Sequence, residues 1–452
     1  MFLRACGCVR AATYITTISI TSDHRPVFAW SPGIAGRGGS TGKFVVRGGF
    51  GIGYNLEQLA ITSNGRSNPP FLTSLTLHGS DILYTIPASA TQFTGWPSNP
   101  TAIQSFDATT GLPSNGAPVS LTGFPLNFTP AVTYRYSLDT QLDIGHNWMA
   151  MVGYSGSQTR HYTRQSNLNF LYYPDGLNPV VNNMGWYSND ANSHYNALLA
   201  EVQHRFSPIF EIDFQYKLSR SIDDGTQDYF MDLYPWNRSY SHGPSDFDAT
   251  HNFKLWGVYT PVFSKSGHSW FDKAVGGWTL SGILNAHSGF PWSPQYCNTG
   301  GNVVYANSGY GCLFPATYGG GAGTNYSNAT FMSSNGNFPN GALAYFTVPT
   351  WPAAGIPPAP ASNIHRNMFR GPDYFGNDFQ LAKAFGLPNM KVLGEGAKLN
   401  LQANIYNLFN KLNLTNLNTT ISNDGISSNP QFGQAQQAFA GRIIELQARF
   451  SF

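Results

Sequence analysis

"GRIIELQARFSF", residues 441–452, ends the chain in strict alternation of apolar and polar side chains. One side carries Ile444, Leu446, Ala448, Phe450 and Phe452, and the other carries Glu445, Gln447, Arg449 and Ser451. A period of two residues predicts a β-strand with one apolar face. In a soluble sheet such a strand would leave an adhesive edge, which proteins normally avoid. The pattern therefore predicts a strand that is paired on both sides and that faces lipid.

The same alternation recurs along the chain. "FEIDFQYKLS" (210–219) sets five apolar residues against five polar or charged ones, and "KLNLQANIYNLF" (398–409) shows the same pattern with Tyr406 on the polar side. Further strand candidates lie at 25–30, 43–54, 131–142, 147–162, 195–206, 250–263, 276–292 and 373–388. No segment shows a convincing 3.6-residue period. The sequence therefore predicts an all-β chain with eleven clear strands.

The composition is unlike that of a soluble domain. The 452 residues are 41% hydrophobic and only 11% charged, whereas a soluble domain carries about 25% charged residues. No apolar run approaches the roughly 18–20 residues that a membrane helix requires, so a membrane span must be built from strands. The net charge of +2 gives no reason to expect nucleic acid as a partner.

The connections between the predicted strands alternate between long and short. Outer-membrane barrels have long extracellular loops and short periplasmic turns. With Phe452 placed in the periplasm, the outside connections are 55–130, 163–194, 222–249, 293–372 and 412–439, and the inside ones are 143–146, 207–209, 264–275 and 389–397. This sorting predicts an antiparallel transmembrane β-barrel in the cell outer membrane.

Residues 1–24 stay unassigned. A closed barrel with both ends in the periplasm needs an even number of strands, so at least a twelfth must precede 25–30. "VRAATYITTISI" (9–20) could supply it; otherwise barrel sequence upstream of Met1 is expected. "MFLRACGCVRAATY" fails the pattern of a signal peptide because Arg4 and Arg10 interrupt it. Either the protein is cytoplasmic or its natural beginning lies upstream.

Several blocks of the chain resemble one family. They are "VRGGFGIGYN" (46–55), "GYSGSQTRHY" (153–162), "YNALLAEVQHRFS" (195–207), "YKLSRSIDDG" (216–225), "GPSDFDATHNF" (243–253), "GGWTLSGILNAHSGFPWSP" (276–294) and "NLFNKLN" (407–413). With the aromatic terminus, they resemble the Oar-like TonB-dependent receptors of Gram-negative bacteria. The resemblance implies the C-terminal half of a barrel of about 22 strands around a plug.

The same resemblance implies a function. The complete receptor would bind an extracellular ligand in its outer loops and pass it through the barrel when the TonB complex pulls on the plug. The plug and the TonB-contacting segment have no counterpart in this chain, so TonB would be reached only through missing N-terminal parts. The alternating terminus, with Ile444, Leu446, Phe450 and Phe452, resembles the signal that the barrel assembly machinery takes up.

Loop aromatics are the candidate ligand contacts. Trp186, Tyr187, Tyr229, Phe230, Tyr234 and Trp236 fall in the predicted outer loops, where no core is expected. They could stack on sugar or peptide ligands, or the loops could pack on one another. The sequence shows no catalytic constellation and no cofactor motif, so we expect no enzyme and no cofactor.

Two further clusters leave alternatives open. Asp223, Asp224, Asp228, Asp246, Asp248 and His251 flank one outer loop and could bind calcium, or they could be solvated strand ends. Cys297 and Cys312 share a stretch rich in Gly, Asn and Tyr and could form a disulfide.

Two alternative functions also remain. One is a passive or adhesive outer-membrane barrel. The other is a secreted soluble all-β carbohydrate-binding protein, which predicts that the apolar strand faces pack inside a sandwich.

Overall fold

Eleven antiparallel strands, which we call the main sheet, dominate the part of the chain that the computed structural model describes, and three short strands pair with them. The described residues are 26–31, 43–55, 68, 107, 109, 116, 119–125, 129–168, 181–205, 209–226, 230–231, 237–262, 275–297, 314–319, 345–349, 361–387, 397–422 and 428–451. Each strand of the main sheet pairs with the next one along the chain. The strands are β1 Val27–Trp30, β2 Phe44–Asn55, β3 Ala131–Gly145, β4 Trp148–Asn167, β5 Val181–His204, β6 Phe210–Asp223, β7 His251–Tyr259, β8 Trp278–His287, β9 Tyr374–Gly386, β10 Lys398–Tyr406 and β11 Ile443–Ser451.

All eleven predicted strands are confirmed, but β4 and β5 are longer than expected. β5 begins at Val181 instead of 195, and β4 runs to Asn167. The predicted outer connection 163–194 therefore shrinks to 168–180. Short strands explain the extension, because Val119–Gly123 pairs with β5 and Phe230–Met231 pairs with β4 in this region. Their backbone groups form hydrogen bonds with the extended parts of β4 and β5, which are polar and show no alternation.

The two faces of the main sheet differ as the sequence predicts. Between β10 and β11, Leu399 lies opposite Phe450 and Ala403 opposite Leu446 on the apolar face. On the polar face, Gln402 lies opposite Gln447. The apolar face is uncovered: Leu446, for example, is 82% exposed. Within the described residues no second sheet packs on this face, so the expectation of a sandwich is wrong.

The main sheet is not closed in the described part of the chain. β1 pairs only with β2, and β11 pairs only with β10. The expectation that the terminal strand is paired on both sides is therefore not met among these residues. Residues 1–24 and Phe452 lie outside them.

The connections sort to two edges. The edge that carries 56–130, 168–180, 224–250, 288–373 and 407–442 is called the outer edge, and the edge that carries 31–43, 146–147, 205–209, 260–277 and 387–397 is called the inner edge. The shortest connection is a two-residue turn at His146 and Asn147, whose φ angles are 54° and 66°. Positive φ at both positions is the geometry of a type I′ turn, which matches the twist of a hairpin.

Replacing Asn147 with valine is expected to destabilise the folded protein by about 1–2 kcal/mol, because a β-branched residue is strained at positive φ. The midpoint of urea unfolding in detergent micelles, followed by tryptophan fluorescence, measures the change. Asn147→Gly is the control and should have little effect. Equal midpoints for the two variants would contradict the turn assignment.

The buried core of the described residues lies at the outer edge rather than within the main sheet. Phe346 and Phe369 are almost fully buried with ring centroids 5.0 Å apart, and Trp292 and Phe432 pack around them. The expectation that the outer loops lack a core is therefore wrong. These connections are long enough to enclose their own aromatic side chains.

Four small sheets and one short helix frame this outer-edge core. The pairs are Pro291–Trp292 with Phe369–Arg370, Gln295–Tyr296 with Phe314–Pro315 and Thr420–Ser422, Thr317–Tyr318 with Phe346–Thr347, and Leu414–Leu417 with Ala435–Ala438. Gly243–Pro244 pairs with β6, and Arg238–Tyr240 is a 3₁₀ helix. Cys297 is disulfide-bonded, and its partner lies outside the described residues. No helix in the described ranges is long and apolar enough to cross a membrane.

Candidate functional site

The predicted loop aromatics divide into two groups. Trp186 and Tyr187 belong to β5 instead of a loop, and Tyr187 is only 4% exposed. The ring of Trp186 lies against Gly123, where an added Cβ would come within 2.8 Å of it. Trp186 therefore packs on the short strand Val119–Gly123. The prediction that they lie in an outer loop is wrong.

The remaining aromatic candidates stay predictions. Tyr229, Tyr234 and Trp236 lie outside the described residues, and of Phe230 only the backbone pairing with Arg164 is known. At the chain end, Ile444, Leu446 and Phe450 lie in β11, and the register places them opposite apolar residues of β10. Their recognition by the assembly machinery also stays a prediction.

The acidic cluster at the outer edge is held by arginines. Asp223 and Asp246 are bound by Arg366, and Asp248 is bound by Arg370. Within the described ranges, no group of three or more His, Cys, Asp or Glu residues is placed to hold a metal ion. The structure thus gives these carboxylates a role in joining two outer-edge segments. We call these five residues the arginine clamp.

Arg366 is the centre of the clamp. Its Nη2 donates to the Asp223 carboxylate and, at 3.0 Å, to the Asp223 carbonyl oxygen. Its Nη1 donates at 3.1 Å to Asp246 Oδ1 and to Thr226 Oγ1, and its Nε donates at 2.8 Å to the Ser241 carbonyl oxygen. The side chains of Arg366 and Asp223 are only 11% and 6% exposed. The planar guanidinium fork therefore has an acceptor for each of its three nitrogens.

Arg370 forms the second part of the clamp, and Asn367 adds a neutral contact beside it. Arg370 donates through Nη1 to the Asp248 carbonyl oxygen and through Nη2 to the Asp248 carboxylate. Asn367 has a positive φ of 59°, which aims its Nδ2 at the Pro244 carbonyl oxygen, 2.8 Å away. Asn tolerates this backbone region better than most residues. Residues 361–370 are thus fixed to residues 241–250 by charged hydrogen bonds.

The clamp fixes an exposed aromatic ring that the sequence analysis missed. Phe247 lies between Asp246 and Asp248, and it is 62% exposed. Because both flanking carboxylates are bound by arginines, the backbone that carries Phe247 is held in place. The sequence signal is "SDFDAT" (245–250), an aromatic residue between two acids, for which the sequence analysis weighs a calcium site against solvated strand ends.

Phe247 borders a pocket of about 970 Å³ that is lined by residues of β1 to β6, among them polar side chains of β3, β4 and β5. Five hydroxyl side chains and one guanidinium of that lining form what we call the hydroxyl wall: Arg135, Ser137, Ser155, Ser157, Ser193 and Tyr195. The register places Ser137 opposite Ser155, and Ser157 opposite Tyr195. The sequence analysis predicts strands at 131–142, 147–162 and 195–206 but singles out none of these six residues, and it places Ser193 in the outer connection 163–194.

A second pocket, of about 520 Å³, lies at the outer edge and is lined by Arg164, Asp224, Arg238, His242 and His365 with two serines. Both arginines bind Asp190, at 2.6 Å from Arg164 Nε and 3.0 Å from Arg238 Nη1. His242 Nδ1 lies 2.8 Å from Asp224. The charges that line this pocket are thus paired within the protein.

Asp190 lies in the part of β5 that extends beyond the membrane on the outer side. β5 has 24 residues, whereas a strand that spans a bilayer needs about 9–11. Partial burial alone would raise the pKa of the Asp190 carboxyl, but the hydrogen bond and charge of Arg164, with the charge of Arg238, hold that pKa below its usual value. Asp190 therefore stays ionised and bound to both arginines at neutral pH.

Three solved structures are similar to most of this chain. Over 94% of this chain, the fold is similar to the outer membrane transporter YddB from Escherichia coli (11% identity, TM-score 0.47). The ferric-catecholate import receptor Fiu from E. coli (11%, 0.37) and the ferripyoverdine receptor of the Pseudomonas aeruginosa outer membrane (9%, 0.39) also match over 94% of this chain. The chain spans 40% of YddB, 34% of Fiu and 32% of the ferripyoverdine receptor.

A comparison with curated proteins gave no significant match. The family model of the outer membrane beta barrel domain matches residues 25–445. This range holds β1 to β10 and the first residues of β11. It agrees with the exposed apolar face and with the sorting of long connections to one edge, which are the features of a barrel in lipid. The protein is therefore located in the cell outer membrane, and the chain belongs to the outer membrane beta barrel domain family.

Proposed function

We propose that the chain is the barrel part of an Oar-like TonB-dependent receptor that takes up a ligand from outside the cell. The observation that carries this proposal is the pocket of about 970 Å³ between the hydroxyl wall and Phe247. It lies on the polar face of the main sheet, which in an outer-membrane barrel faces the interior. The Oar-like assignment is supported by the sequence blocks at 46–55, 243–253 and 276–294.

The pocket and the polar face are suited to bind a ligand at the outer edge and then to let it pass toward the inner edge. The arginine clamp holds 361–370 and 241–250 together at the outer edge, so the mouth of the pocket is preformed before a ligand arrives. Preorganisation lowers the cost of ordering loops on binding. Below the pocket, the polar face continues with charged and amide side chains such as Glu201, Lys217 and Lys254. This face provides a hydrated route toward the inner edge.

Energy coupling is proposed to come from outside residues 1–452. The TonB complex would act on a plug within the complete barrel. The polar face of the main sheet would then form one side of the passage. A passive or adhesive barrel is the second candidate. It is less well supported, because an adhesin uses outward loop surface, whereas the clamped Phe247 borders a pocket on the polar face.

Cells that produce the complete receptor are expected to deplete at least one compound from their medium, and this depletion should stop when TonB is inactivated. Mass spectrometry of spent medium compares a deletion strain, a complemented strain and a complemented strain without TonB. Phe247→Ala should reduce the rate of depletion severalfold, because it removes the ring at the pocket mouth. Arg238→Met is the control. Depletion that persists without TonB would favour the passive barrel.

A further inference from the structure

We infer that the hydroxyl wall and Phe247 bind an acidic carbohydrate: a chain of sugar rings that carries a carboxylate. This inference rests on the proposed receptor function and specifies its ligand class. Three features of the pocket carry it. They are hydroxyl groups and the guanidinium of Arg135, all without a partner among the described residues, and the clamped aromatic ring at the mouth.

The hydroxyl groups at the centre of the wall have no hydrogen-bond partner among the described residues. These are the side chains of Ser137, Ser155, Ser157, Ser193 and Tyr195. Hydroxyls at the margin are already paired: Thr133 and Thr159 lie 2.9 Å apart, and Ser221 and Ser245 lie 2.7 Å apart. A hydroxyl both donates and accepts, as does each hydroxyl of a sugar. The central groups can therefore form reciprocal hydrogen bonds with a polyhydroxylated ligand.

The wall is a two-dimensional array. Neighbouring strands lie about 4.8 Å apart, and side chains on one face of a strand repeat about every 6.7 Å. Ser155 and Ser157 are such neighbours along β4, and the register extends the array to Ser137 on one side and Tyr195 on the other. An array of this size fits several linked rings better than one small molecule. The pocket volume of about 970 Å³ is at the upper end of the range for ligand sites.

The space in front of the array is kept open by glycine. Gly53 of β2 lies opposite Thr133, and a Cβ added to Gly53 would meet nothing within 4 Å. A larger side chain could therefore enter the pocket without disturbing the backbone. This makes position 53 suitable for a blocking substitution.

Arg135 sets the expected charge of the ligand. It is exposed, it lines the pocket, and it forms no ion pair with the described residues. The carboxylate that lines the same pocket, Asp223, is bound by Arg366. Within the described part of the chain, Arg135 is thus a cation without an ion-pair partner beside neutral hydroxyls. A guanidinium binds a carboxylate through two parallel hydrogen bonds, so an acidic sugar fits this position.

Phe247 supplies the apolar contact. One face of a sugar ring is lined by C–H groups, and a rigid aromatic side chain offers a flat apolar surface at low entropic cost. The 62% exposure of Phe247 leaves its ring available for such stacking. The clamp holds the backbone of Phe247 on both sides, which favours a single position of the ring.

The test uses the complete receptor in detergent on a printed array of maltohexaose, hexagalacturonate and hexamannuronate. We expect the two uronic-acid chains to bind more strongly than maltohexaose. Arg135→Gln should weaken their binding about tenfold and leave maltohexaose unchanged. Gly53→Trp should block all carbohydrate binding, and Phe247→Ala should weaken all of it. Arg160→Gln removes a charge from the opposite face of β4 and should change nothing.

Absence of binding to all three oligosaccharides would overturn the inference, as would equal weakening by Arg135→Gln and Arg160→Gln. The proposed function fails separately. If cells still deplete a compound in a TonB-dependent way and that compound is not a carbohydrate, the receptor function stands and the ligand class is wrong. If no TonB-dependent depletion occurs but uronic-acid chains bind, the site is correct and the transport proposal is wrong.

Discussion

Leu446→Arg is expected to prevent the protein from accumulating in the outer membrane. Leu446 is 82% exposed on the apolar face of β11, where it meets hydrocarbon in the bilayer. A lipid-facing arginine near the middle of the membrane costs about 2–4 kcal/mol. The substitution also interrupts the terminal alternation that we predict is recognised during assembly. Outer-membrane fractionation, with a gel that compares heated and unheated samples, measures the folded fraction.

Gln447→Arg is the matched control, since it introduces the same side chain one residue further along. Gln447 lies opposite Gln402 on the polar face of the main sheet, where an arginine remains in water. We expect near-normal amounts of folded protein from this variant. Equal losses from the two substitutions would mean that the two faces of β11 do not differ in their contact with lipid and water. Loss from Gln447→Arg alone would mean that the polar face, and not the apolar one, meets lipid.

Strand positions could be predicted because the alternation is a local property. A period of two residues fixes which side chains share a face without reference to any other strand. In β6, the neighbours Asp213 and Phe214 point to opposite faces of the strand, and their polar and apolar side chains indicate which face is which. The observed register agrees, since Phe214 lies opposite Leu255. The sorting of the connections to the two edges could also be predicted, because successive strand ends alternate between the two edges in any antiparallel meander.

Where alternation fails, the sequence analysis failed too. "NNMGWYSNDANSH" (182–194) mixes glycine, amides and aromatics without a period, and the sequence analysis predicts an outer connection there. In the structure it is strand, because β4 and the short strand Val119–Gly123 supply hydrogen bonds on both sides. A single sequence does not reveal such partners, since the pairing joins distant segments: Val119 pairs with Val181, and Gly123 pairs with Trp186.

The clamp could not be predicted for the same reason. Arg366 and Asp223 are 143 positions apart, and neither belongs to an alternating run that would predict the contact. The acids were visible as a cluster, but their partners were not. Calcium was therefore a reasonable hypothesis from the acids alone, whereas arginine neutralisation required the fold.

Arg366→Met is expected to lower the free energy of local opening at the outer edge by about 3–5 kcal/mol, because it leaves the buried Asp223 carboxylate without its counter-charge. Several other acceptors, including the Ser241 carbonyl oxygen and Thr226 Oγ1, lose their donor at the same time. The change corresponds to more than a hundredfold in the local opening equilibrium. Hydrogen exchange of the amides in 237–250 measures it, while the amides of β10 should exchange as before.

The control is Arg238→Met, which removes an arginine whose side chain is 49% exposed and whose partner Asp190 keeps Arg164. Exposed pairs of this kind contribute about 0–1 kcal/mol, so exchange in 237–250 should barely change. The double variant Asp223→Asn/Arg366→Met should recover part of the loss, because it removes the uncompensated charge. If Arg366→Met behaves like Arg238→Met, the clamp does not hold the outer edge, and the preformed mouth around Phe247 loses its physical basis.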